Sequence, residues 1–172
     1  MQSTTQDITL VAATTADIKE IADLANVIWQ QHYPNIISQQ QIDYMLHLIY
    51  SPESLKEQME KKRHQFILIK VNAVSQGFIS VHTENNREWV LNKFYINQQE
   101  ASKGIGSKTF ELLKEIIRPT KITLTVNRQN FKSINFYFKQ GFKIECVADF
   151  DIGKGYVMND FVMVWKKAEK SS

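Results

Sequence analysis

Apolar residues along this chain recur in two periods, and the switches between them fall at turn and capping residues. Ile8 to Ala13, Gln65 to Val71 (QFILIKV), Gly77 to Thr83 (GFISVHT) and Trp89 to Ile96 (WVLNKFYI) are rich in branched and aromatic residues or alternate with period two. Each predicts a strand. Thr15 to Gln31 instead places Ile18, Ile21, Ala25, Ile28 and Trp29 at helical spacing. A second helix is predicted from Ser38, where Ser38 and Gln41 have capping-box spacing, through Ile42, Met45 and Ile49. A third starts at Ser51, with Pro52 at the first helical position, where a missing N–H breaks no hydrogen bond. Short polar turns after Val71 and Thr83 make the middle strands an antiparallel meander.

After Ile96 the chain reaches Gly104-Ile105-Gly106, and from there Phe110, Leu113 and Ile117, joined by Leu112 and Ile116, recur at helical spacing until Arg118 and Pro119. Strand, glycine turn and helix in this order predict an anion site. The first N–H groups of a helix have no partner within it, and the helix dipole adds partial positive charge there. Ser107 adds a hydroxyl, and Lys103 and Lys108 add charge near the same turn. Two familiar phosphate motifs fail. A Walker A loop needs glycine directly before Lys-Thr, but Ser107 precedes Lys108 and Thr109; a dinucleotide fingerprint needs a third glycine where Thr109 stands. A plain tight turn is the competing reading of these glycines.

The second half adds a strand, Lys121 to Val126, then a helix of about ten residues between an Asn130 N-cap and Gly141 at C′. A final hairpin joins Lys143 to Ile152 and Tyr156 to Trp165 across Gly153-Lys154-Gly155. The elements together predict an α/β (α+β) fold, a mixed and mostly antiparallel sheet with helices on both faces.

At 172 residues and 43% hydrophobic, the chain suits one domain, with residues 1–7 and 167–172 as flexible tails. No apolar run approaches a membrane span, and MQSTTQD lacks the features of a secretory signal, so a cytoplasmic protein is expected. Cys146, the lone cysteine, excludes an internal disulfide, and its apolar strand predicts a core position. His32, His47, His64 and His82 show no metal-ligand spacing, and no metal is expected. A net charge of +3 gives nucleic acid no support as a partner.

From Trp89 to Phe142 the order strand, glycine loop, helix, strand, Asn cap, helix with tyrosine, Gly-Phe resembles the GNAT superfamily of N-acetyltransferases. Gly104-Ile105-Gly106 matches the family's pyrophosphate motif. Asn127, Asn130, Phe136, Tyr137, Gly141 and Phe142 match its next motif, with Ser133 in the usual alanine place. Ala101 stands where the first motif has Arg or Gln. The resemblance covers roughly Ile8 to Trp165, and the opening helices, Tyr50 to Met59, LNKFYI and Asp149 to Met163 are similar to bacterial polyamine-type N-acetyltransferases.

The resemblance implies direct transfer of acetyl from acetyl-CoA to an amine of a small molecule or peptide, through a tetrahedral intermediate. It places the pantetheine arm against the backbone of Phe94, Tyr95 and Ile96 and the pyrophosphate on Ser102, Lys103, Gly104, Ile105, Gly106 and Ser107. Asn130, Ser133 and Lys139 approach the same ligand. Tyr137 holds the position of a general acid toward the CoA thiolate, and the Ile96 amide that of a donor to the thioester oxygen. For the base, Glu88, a water chain and an amine already deprotonated stay open, because Val90 stands where many relatives carry Glu. The amine is expected between the first two helices and the last hairpin, near Trp29, Tyr33, Tyr44 and Tyr156 and the acids Asp149, Asp151 and Asp160. A noncatalytic acetyl-CoA-binding regulatory module is the alternative, and a homodimer is a further expectation.

Overall fold

The structure, a computed structural model, describes residues 5–101 and 104–169. Its strands are β1 (Ile8–Ala12), β2 (Gln65–Val71), β3 (Val74–Thr83), β4 (Glu88–Ile96), β5 (Lys121–Asn127), β6 (Lys143–Gly153) and β7 (Tyr156–Lys166). They form one sheet in the order β1-β2-β3-β4-β5-β7-β6. Every adjacent pair is antiparallel except β4 and β5. The helices are α1 (Ile18–His32), α2 (Gln39–Tyr50), α3 (Pro52–Glu60), the short α4 (Gln98–Ala101), α5 (Ile105–Ile117) and α6 (Phe131–Lys139).

Alternation along β2 explains how the sheet acquires two cores. Phe66 and Leu68, with Phe78 of β3, pack on Ile21, Ile28, Ile42 and Leu55 of α1, α2 and α3. Ile67 and Ile69 point the other way, joining Ile79 and Val81 under Phe110, Leu113 and Ile117 of α5. A strand covered on both faces reads as a continuous apolar run, and QFILIKV does.

Local chemistry sets the helix starts. Ser51 Oγ accepts from the Ser54 amide at 3.3 Å, with Pro52 beginning α3. Ser38 Oγ accepts from the Gln41 amide at 3.1 Å, but the Gln41 side chain turns to Met158 Sδ, so this box is only half made. The complete box is at Thr14 and Asp17, where a 3-10 turn (Thr15–Asp17) precedes α1.

Cys146 corrects an expectation. It is exposed, because β6 is the outer strand of the sheet and residues of both parities along it reach solvent, Ile144, Val147 and Phe150 among them. An apolar hairpin sequence cannot say which of its strands will be the edge.

The site is created where β4 leaves β5. Their parallel pairing runs only from Glu88 to Val90 against Lys121 to Thr123. In the β3–β4 ladder Val81 faces Leu91 while Ser80 faces Lys93, so Asn92 is an extra, bulged residue. A bulge bends its strand and increases its twist, which carries Lys93 to Ile96 away from β5. Asn92 is held by His82 Nδ1 at 3.0 Å.

Candidate active site

Helix α5 begins without a side-chain cap among the described residues. Gly104 has φ +75°, in the left-handed region where glycine carries no steric cost, and α5 follows directly. The Lys108 amide is paired to the Gly104 carbonyl at 3.2 Å. By helix geometry the amides of Ile105, Gly106 and Ser107 lie one turn too early for partners within α5 itself. Ser107 Oγ accepts from Gln140 Nε2 at 2.9 Å, which leaves its own proton to donate outward. Gly106 has a packing reason to be glycine: a Cβ there would lie 3.0 Å from Phe136 Cε2. Ser102 and Lys103 lie outside the described residues, as does the side chain of Ala101. Lys139 is exposed on the last turn of α6.

Two hollows meet at Tyr137. The smaller, about 110 Å³, is lined by Phe94, Ile96, Gly106, Asn130, Ser133 and Tyr137 and opens toward α5. The larger, about 250 Å³, is lined by Trp29, Tyr33, Tyr50, Lys93, Tyr137 and Asp160 among others. Tyr137 is buried, edge-on to Phe136 and Phe142, and burial with the neighbouring Tyr33 raises its phenol well above the usual range. It therefore stays protonated across the physiological range.

Asn130 caps α6 through Oδ1, which accepts from the Ser133 amide at 3.3 Å, and Gly141 at φ +97° ends the helix. Asn130→Ala is expected to lower stability by about 1 kcal/mol, read as a shift in the urea midpoint. The main chain at Ile96 is fixed by neighbours: the Asn97 amide donates to Gln76 at 2.7 Å, and the ring of His32 hydrogen-bonds the Ile96 carbonyl.

Sequence reading placed Tyr95 in the site through its backbone alone. Its side chain joins the larger cavity, where its hydroxyl lies 3.0 Å from that of Tyr33 and its ring 6.0 Å from Trp29. Burial holds the Tyr33 phenol up at about 12. Tyr156 is not brought into the cavity; it packs on Tyr44 at 5.3 Å, and Tyr44 is tied to the hairpin by its hydroxyl on the Ile152 carbonyl. Asp151 accepts from the Gly153 amide and shapes the hairpin turn. Glu88 is also not brought in: it is exposed at the opposite end of β4, about 26 Å from Ile96 at the rise of a strand. That distance removes direct proton transfer between Glu88 and an amine near Tyr137.

Two charged residues in the larger cavity carry information the sequence obscured. Lys93 is half-buried, with Nζ donating to Gln58 Oε1 at 2.7 Å, and desolvation together with the charge of Lys62 lowers its pKa to about 8. The signal was present as a single lysine in an apolar strand, two residues before Tyr95, while the bulge at Asn92 turns Leu91 to the opposite core. Asp160 of β7 is 6% exposed and its Oδ1 has no hydrogen-bond partner among the described residues. Burial lifts its carboxyl to about 6, against the opposing effects of Arg128 and a Thr125 hydrogen bond.

A family model for the acetyltransferase (GNAT) domain matches residues 35–150. The chain belongs to that family. It is 29% identical over 150 residues to the spermidine N(1)-acetyltransferase of Thermoplasma acidophilum, covering 81% of this chain and 92% of that protein. The PaiA N-acetyltransferase of the same organism, solved in complex with coenzyme A, matches with TM-score 0.78 at 24% identity over 94% of this chain and 99% of that one. A GCN5-related N-acetyltransferase from Rhodopseudomonas palustris matches at TM-score 0.75 and 12% identity over 92% and 95%. The protein is thus an N-acetyltransferase that uses acetyl-CoA. Its own residues fit that donor: among the described residues α5 starts without a side-chain cap, and the β4–β5 pairing ends at Val90. Among the described residues no group of His, Cys, Asp and Glu could hold a metal ion, and no helix is long and apolar enough to cross a membrane.

Proposed function

We propose that the chain acetylates a primary amine of a cationic small molecule of polyamine type, with Tyr137 as the general acid. The observation that carries this reading is the position of Tyr137, which lines both hollows at the place where β4 and β5 part. The likeness to a spermidine N(1)-acetyltransferase supports the substrate class. Acetyl-CoA supplies an activated acyl group and a thiolate leaving group. The amides of Ile105, Gly106 and Ser107 hold the pyrophosphate, and the open edge of Phe94, Tyr95 and Ile96 pairs with the pantetheine amides. The Ile96 amide donates to the carbonyl oxygen as negative charge develops there. Tyr33, Tyr95 and Trp29 offer aromatic faces that suit a cationic chain. A panel of polyamines, amino acids and peptides, assayed with acetyl-CoA by release of free thiol, tests the assignment. Turnover of spermidine and related amines above all others is expected, and release with none of them rejects it.

Lys93 favours a second reading, an amino-acid-like acceptor whose carboxylate meets that ammonium. The readings separate in Lys93→Met. With a pKa lowered to about 8, Lys93 is a cation below that pH and neutral above it. For a polyamine, removing the like charge is expected to raise kcat/KM by roughly threefold to tenfold at pH 7 and to change little at pH 9. For an amino acid the same change lowers kcat/KM at pH 7.

A further inference from the structure

The geometry points to Asp160 as the group that receives the acceptor's ammonium and takes its proton. This rests on the proposed amine acetylation and names a base for it. Three observations converge. The carboxylate lines the larger cavity, it is almost wholly buried, and its Oδ1 lacks a partner among the described residues. A buried carboxylate oxygen without a donor carries a large desolvation cost unless an occupant supplies one. A primary ammonium supplies a charged donor.

The surroundings fix the carboxylate and leave that oxygen free. Asp160 faces Asn127 in the β5–β7 ladder, and the Arg128 guanidinium contacts the main-chain oxygen of Asp160 at 3.4 Å while pairing with Asp149 at 2.9 Å. Arg128 is thereby engaged elsewhere and does not neutralise Asp160 directly. The groups that act on it from the packed elements are Thr125 of β5, Arg128, Asp149 of β6 and Tyr33 just after α1, with Lys93 of β4 lining the same cavity. Burial brings its proton affinity closer to that of an amine, which shortens the energetic gap for transfer.

The proton balance closes with the residues present. Asp160 takes one proton from R–NH3+, the freed lone pair forms the N–C bond as the carbonyl π pair moves onto oxygen, and collapse of that tetrahedral intermediate breaks the C–S bond. Tyr137 gives its proton to the sulfur. The second proton of the nitrogen then passes to the phenolate, and Asp160 releases the first to water.

Asp160→Asn keeps shape and removes the charge. With spermidine and acetyl-CoA as probes, kcat/KM is expected to fall about 10²-fold at pH 7. The wild-type profile loses activity as pH drops through about 6, where the carboxylate protonates, and the variant lacks that limb. The variant's deficit shrinks as pH rises toward the amine's own pKa. Its Tm stays level or rises, since the substitution removes a buried unpaired charge. In the wild-type protein the Asp160 carboxyl carbon, followed by NMR, titrates near pH 6 and shifts downward in pH when spermidine is bound. An active wild type with a variant within threefold of it and an unchanged acid limb overturns the role of Asp160 alone. A wild type that acetylates no amine overturns the acetylation reading and this role with it.

Discussion

Tyr137→Phe is expected to lower kcat for amine acetylation by about 10³-fold while leaving the dissociation constant for acetyl-CoA within about threefold, because general acid catalysis contributes roughly 10²- to 10⁴-fold and ground-state binding does not use the phenol. The expectation follows from where the hydroxyl sits. The ring is clamped edge-on by Phe136 and Phe142, so loss of the oxygen leaves the ring packing intact and the tertiary structure is expected to survive. Burial holds the phenol protonated, and a phenolate formed in that cavity is unfavourable, so Tyr137 gives up its proton only as negative charge builds on a nearby atom. Calorimetric titration with acetyl-CoA reads the binding half of the prediction, and steady-state thiol release with a saturating amine reads the chemical half. A variant that turns over within fivefold of wild type sinks the general-acid role, and one that loses acetyl-CoA binding as well moves Tyr137 from chemistry to packing.

Much of this site was legible in sequence because its key parts are local. A glycine turn at a helix start, an asparagine cap and Gly141 after the next helix are each fixed by backbone chemistry within a few residues. Gly104, Asn130 and Gly141 behave as those rules require. Gly106 shows the limit, since its nearest obstacle is Phe136, thirty residues along the chain, and local spacing carries no trace of that contact. The bulge at Asn92 depends on register against β3, and the exposure of Cys146 on β6 being the edge; both are properties of pairing. Asp149, Asp151 and Asp160 look alike in sequence. Only the fold separates an ion-paired surface acid, a turn-forming acid and a buried one with a free oxygen. Tyr156 and Glu88 show the same limit: each has suitable chemistry, but the hairpin tip and the far end of β4 hold them away from Tyr137.

Gly77→Ala is expected to damage both stability and catalysis, although residue 77 is no part of either hollow. Gly77 pairs with Ile96, and a Cβ added there would lie 2.2 Å from the Tyr95 carbonyl oxygen and 3.0 Å from Ile96 Cα. Both obstacles are backbone, so no side chain can rotate aside, and β3 and β4 must part by about an ångström to restore van der Waals contact. Overpacking of this kind costs about 3 kcal/mol, which for a chain of this size lowers Tm by roughly 6–12 °C. The same displacement moves the Ile96 amide, and misplacement on that scale costs about 10² in rate. Gly104→Ala is the informative comparison: its φ of +75° strains alanine, but nothing lies within 4 Å of the added carbon. That change is expected to cost only about 1–2 kcal/mol, with its effect on acetyl-CoA affinity more than on kcat. Thermal unfolding and the split between KM for acetyl-CoA and kcat distinguish the two glycines. If Gly77→Ala melts within about 2 °C of the wild type, then β3 and β4 are not in the close contact described, and the positioning of Ile96 needs another cause.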